Sequence, residues 1–161
     1  MTLDAAILNI QKIQDALPKI MGEMAVLAVS NAKETIQTRV QTTGKTARYP
    51  NLFMMSPYSE SYRQYKIDKN RVLRTNPNLN FVDLTFTGDM WRGIGLVGNT
   101  ETTATLGGQN PGTIKKLVEL EHYKGFALDI SDLELEHLEE EMQDDFNEKI
   151  MKLLPAEMRV Q

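Results

Sequence analysis

Apolar residues fall at helical spacing near both ends of the chain and alternate only in a short stretch between them. Leu3, Ile7, Ile10, Ile13 and Leu17 recur every three or four positions, which predicts a helix over residues 3–16. Pro18 has no amide hydrogen and its ring crowds the preceding turn, so the pattern predicts a break or kink there. A second helix over 18–40 takes Pro18 as its first residue. It would bury Ile20, Met21, Met24, Leu27, Ala28 and Val29, then turn polar through Asn31, Lys33, Glu34 and Arg39. At 1.5 Å per residue it would be roughly 34 Å long, more than one small core requires.

From Gln41 to Asn80 the periodicity lapses among turn formers such as Thr42, Thr43, Gly44, Pro50, Pro57, Asn76, Pro77 and Asn78. A helical turn or two fits Ser59–Asp68, beside which Tyr58, Tyr62 and Tyr65 fall at i, i+4 and i+7. So long a stretch without regular structure is uncommon inside a compact domain. Tyr49, Phe53, Met54, Met55 and the three tyrosines are also too many large apolar side chains for a solvated linker. Residues 42–78 therefore read as an extended arm that orders against a partner.

Val82 to Phe86 alternates like a short strand, and Thr87-Gly88-Asp89 makes a turn. Met90–Val97 and Thr102–Leu106 predict a hairpin joined across Gly98-Asn99-Thr100-Glu101. After a loop over Gly107–Gly112, a short helix is predicted from Thr113 to Tyr123, ended by Gly125. Ser131-x-x-Glu134 is a capping box, with Asp129, Asp132 and Glu134 at the positive end of the following helix. That helix, over 131–154, carries Leu135, Leu138, Met142, Phe146, Ile150 and Leu153 in one narrow stripe and stops at Pro155. The fold class is α+β: one domain over 1–161, with long N-terminal and C-terminal helices on a small antiparallel sheet.

Composition narrows the function. The 161 residues, 41% of them hydrophobic, suffice for a single core, in which nine methionines favour adaptable contacts over rigid ones. The absence of cysteine excludes disulfides and thiolate metal sites, and predicts a reducing compartment. No apolar run approaches the roughly 20 residues needed to cross a bilayer, and no secretory signal pattern opens the chain. The net charge of −4 hides an asymmetry. Gly44–Arg74 holds seven basic residues against two acidic ones, whereas Glu119–Glu148 holds twelve acidic residues and one lysine, Lys124. Two solvated faces would account for this. A basic arm of one copy meeting the acidic helix of the next would account for it as well.

Candidate chemistry is sparse. Gly93-Ile94-Gly95-Leu96-Val97-Gly98 matches GxGxxG, but strand and turn formers follow it where a dinucleotide fold needs a helix. The glycines serve instead to let the hairpin twist or approach another backbone. Glu119/His122 and Glu134/His137 imitate halves of a carboxylate-bridged metal site, but that site needs two further inward glutamates within a bundle. Ser56 precedes Pro57 and Ser131 is taken up as a cap, so no nucleophile–base arrangement assembles. Neither an enzyme nor a cofactor is expected. Tyrosines among cations suit a single strand of nucleic acid, yet no recognised module is present and the acidic half opposes phosphate.

Thr87-Gly88-Asp89-Met90 before a hairpin, then Phe126-Ala127-Leu128-Asp129-Ile130-Ser131 before the last helix, resembles the neck and tail-completion proteins of tailed bacteriophages. The likeness covers roughly residues 20–150, and Glu121-His122-Tyr123-Lys124-Gly125 follows a helical stretch where that family more often has a strand. The resemblance implies a ring subunit joining the connector side to the tail, located at the virion neck and made in the host cytoplasm. Implied partners are further copies of the chain and other neck, connector and tail proteins. DNA would pass through the ring without being read, and no membrane is involved. The arm contacts expected are Arg48, Tyr49, Phe53, Tyr58, Tyr62, Arg63, Lys66, Arg71 and Arg74. On the hairpin and acidic helix they are Trp91, Arg92, Glu136, Glu140 and Asp144. A soluble helical adaptor that binds a partner through its acidic C-terminal helix is the competing expectation.

Overall fold

The computed structural model describes residues 3–48, 51–73, 79–82, 84, 89–124 and 128–155. Within them lie α1 (Leu3–Thr43), β1 (Lys45–Arg48), β2 (Asn51–Met54), α2 (Glu60–Leu73) and α3 (Asp89–Arg92). They are followed by β3 (Ile94–Asn99), β4 (Ala104–Gly108), α4 (Pro111–Lys124) and α5 (Asp132–Leu153). The α+β class and the long terminal helices are as expected; the single small sheet is instead two separate antiparallel hairpins, β1–β2 and β3–β4.

The two predicted N-terminal helices are one. Pro18 lies inside the 41-residue α1, which at 1.5 Å per residue spans roughly 62 Å. A proline removes one intrahelical hydrogen bond and crowds the carbonyl four residues back. Strong helix formers on both sides, among them Ala16, Leu17, Met21 and Met24, carry the helix through. Gly44 ends it in the left-handed conformation at φ +67, its N–H donating to Val40 O at 3.0 Å.

The described residues between 42 and 73 are also more regular than expected. Lys45 pairs with Met54 and Arg48 with Asn51, and Met55 N donates to Gly44 O at 3.1 Å. β1 contacts α1, and Thr46 and Ala47 on it are buried, while Leu52, Phe53 and Met54 on β2 are exposed. The helical turns expected at Ser59–Asp68 form all of α2, at Glu60–Leu73.

In the second hairpin, Ile94 pairs with Gly108 and Asn99 with Ala104, with a bulge between Leu96 and Gly98. The turn therefore falls two residues later than predicted. Thr100 closes it by donating its N–H to Thr103 O at 2.8 Å, while its hydroxyl accepts from Thr103 N at 3.0 Å. Met90–Arg92, expected as strand, is a single helical turn, α3, in which Arg92 pairs with Asp89 one turn back. The strand predicted at Val82–Phe86 lies largely outside the described residues, as does the Gly125 cap.

The core gathers around the last turns of α1. Ile36, Val40, Met55, Val82, Trp91 and Ile94 are buried together, with Tyr58, Leu84, Leu106, Leu117 and Leu128 packed on them. Close approach of α4 depends on glycine: a Cβ on Gly93 would lie 2.0 Å from Thr113 Oγ1, and one on Gly108 2.9 Å from Ile114 N. This is the role of the first glycine in the GxGxxG match, which lies just ahead of β3, while the other two lie within that strand.

Candidate assembly surface

Antiparallel docking of α5 on α1 is set at two points. Near the start of α5, Arg39 donates to Glu134 and, at 2.8 Å, to Asp129 O. Glu134 also accepts from Ser131 N at 2.9 Å and from its hydroxyl at 2.8 Å, so the predicted capping box is joined to a buried arginine of α1. Near the end of α5, Lys149 Nζ donates to Glu23 Oε2 at 2.7 Å. This bond and the nearby ammonium hold the Glu23 carboxyl below its ordinary value, and the bond to Glu23 raises Lys149.

The register that follows leaves part of α1 uncovered. Sixteen positions separate Glu23 from Arg39, and fifteen separate Glu134 from Lys149, so the helices run nearly residue for residue. α5 ends at Leu153, four positions past Lys149, which corresponds to about position 19 of α1. The β3–β4 tip ends at a similar level, with Glu101 O 3.6 Å from where a Gly22 Cβ would lie. Residues 3–19 thus extend past both, over roughly 25 Å. The apolar stripe continues along that extension. Ile20 and Met24 are each 8% exposed, whereas Ile10 is 57%, Ile7 52% and Leu3 76% exposed.

Further large side chains are exposed on the elements that follow α1 in the chain. Leu52, Phe53 and Met54 face solvent on β2, and Tyr62 and Tyr65 do so on α2. Tyr58, Tyr62 and Tyr65 form a ladder with ring centroids 5.0 and 6.0 Å apart. Lys69 Nζ stands 5.8 Å from the Tyr65 ring.

The expected contact residues divide. Phe53, Tyr62 and Arg63 are exposed and close in sequence on β2 and α2. Tyr58 is instead half-buried against the core, its hydroxyl accepting from Leu84 N at 3.2 Å. Lys66, expected to reach a neighbour, is fully buried with its ammonium 4.5 Å from the Tyr58 ring, which corrects that expectation. Trp91 is a core residue only 3% exposed, so it too is not presented to a neighbour. Arg92, Glu136, Glu140 and Asp144 are exposed. Tyr49 and Arg74, and the side chains of Arg48 and Arg71, lie outside what is described.

The overhang leaves no signal in the sequence, because periodicity shows which face is apolar but not how far a distant helix will cover it. Glu134 is engaged by Arg39 and Ser131, and the described residues hold no group of three His, Asp or Glu placed to share an ion. No helix among the described residues is long and apolar enough to cross a membrane. Comparison with protein-family models, curated proteins and solved structures finds no match to the chain.

Proposed function

We propose that this chain is a structural subunit of a bacteriophage head–tail joint, a ring that links the connector side to the tail through contacts between copies. The observation that carries this reading is the pair of exposed apolar surfaces toward opposite ends of α1: Leu3, Ile7 and Ile10 at one end, Leu52, Phe53 and Met54 at the other. Large side chains grouped outside a fold mark surfaces that a partner covers. Two such levels on one rigid strut let neighbouring copies meet side by side without hinging, which suits a closed ring. The motif resemblance at Thr87–Met90 and Phe126–Ser131 gives the assembly its biological setting. The charge asymmetry between α2 and α5 would set the register of neighbours more than it stabilises them.

The adaptor reading is favoured by one feature, the exposed row Glu136, Glu140 and Asp144 on α5. Deleting residues 45–74 cannot separate the two readings, because it removes Met55 and Tyr58 from the core and its margin. Point changes do. Phe53→Ser with Tyr62→Ser should leave the subunit folded and abolish joining of heads to tails in a particle assembly assay. If joining survives that pair but fails when Glu136 and Glu140 become lysine, the adaptor reading takes over.

A further inference from the structure

The geometry points to residues 3–17 of α1 as a self-association element that packs against the same segment of neighbouring copies of this chain. Four observations lead there. The stripe that α5 and the β3–β4 hairpin cover at Ile20 and Met24 continues without interruption through Leu17 and Ile13 to Ile10, Ile7 and Leu3. What ends is the cover, since α5 stops near the level of position 19. An intermolecular contact on the overhang therefore extends an interface the fold already uses.

Charge selects the occupant. The chain carries −4 overall, and α5 from Asp132 to Glu148 is acidic throughout, so most approaches between two copies meet like charge. Apart from the basic stretch Gly44–Arg74, the overhang is the exception: Asp4 and Asp15 balance Lys12 and Lys19. Lys12, Asp15 and Lys19 fall away from the line of Leu3, Ile7 and Ile10; the polar residues one turn from that line are Asp4, beside Ile7, and the neutral Gln11 and Gln14. The seam is bordered by one charged residue, Asp4 near its end, so identical segments can meet along the rest of it without like charges opposed. An amphipathic helix that binds anionic lipid instead carries a cationic polar face, which this segment lacks.

Pro18 lies at the border between the covered and uncovered parts. The hydrogen bond it cannot donate is lost where the helix leaves its support. Neighbouring helices would brace the segment beyond that point.

The chain has no cysteine, so one introduced thiol reports one position. Ile10→Cys in the full chain, treated with a short bis-maleimide, should yield linked dimers and higher multiples. Adding Ile7→Glu, at an exposed position, should abolish them without changing the circular dichroism spectrum; Ile7→Ser should weaken them. Glu139→Cys on exposed α5 should stay unlinked. Linking at Glu139 equal to that at Ile10 would overturn the assignment. So would an oligomer whose Ile10→Cys form does not link, though the ring reading would survive with its contacts elsewhere. Binding of the chain to phosphatidylglycerol vesicles with loss of linking would give the stripe to a membrane. A chain monomeric at every concentration would overturn both this inference and the ring.

Discussion

Lys149 and Glu23 meet at 2.7 Å close to where α5 ceases to cover α1. The pair is exposed, so salt and water limit what it contributes. It nevertheless has a sign that can be measured. The folded Glu23 carboxyl is held low by Lys149, so its contribution is present above the ordinary glutamate value of about 4.3 and is lost as pH falls through the lower folded value. Lys149 is raised, so its share is present below about 10.4 and lost as pH climbs through the higher folded value. In a carboxyl NMR titration, Lys149→Ala should move Glu23 back up toward a free glutamate. An unchanged Glu23 would mean the two groups do not pair in solution.

The Arg39–Glu134 latch is a different case, because the two side chains are only 5% and 14% exposed. Removing one partner strands the other charge. Arg39→Ala should lower unfolding free energy by about 3–5 kcal/mol in urea denaturation. Ser131→Ala loses the cap but leaves the ion pair, and should cost about 1 kcal/mol. If Arg39→Ala costs no more than Ser131→Ala, the start of α5 is held by its apolar contacts alone.

Gly44 is required by both backbone and space. Its φ is +67, and an added Cβ would fall 2.6 Å from the Phe81 ring. Gly44→Ala should therefore destabilise by more than about 1 kcal/mol, since the left-handed penalty and the contact with Phe81 act together. Gly98 lies on the open side of the β3–β4 bulge with nothing near its Cβ position, and Gly98→Ala should be nearly neutral by thermal melting.

What could be read from the sequence was local. Ser131 and Glu134 are three residues apart, so the capping box and α5 followed from neighbours alone. The β3–β4 hairpin was legible because alternation and turn residues sit together, although the bulge near Val97 shifted its turn. β1 and β2 carry no legible signal because Lys45–Arg48 and Asn51–Met54 are too short to show a period; they pair with each other, and β1 contacts α1. Lys66 reads in the sequence as one more cation of the arm, and no sequence signal reveals that it is enclosed beside Tyr58. The helix through Pro18 was lost for the opposite reason: a strong local rule gave way to the helix formers around it.

That the chain builds an assembly through two levels of contact is tested most directly by sedimentation of the unmodified protein across a wide concentration range. The unmodified protein should sediment as one closed species of more than two copies. With Ile7→Glu and Phe53→Ser combined, it should be a folded monomer. An unmodified chain that sediments as a monomer at every concentration, or a double variant that still forms the closed species, would contradict assembly through those contacts.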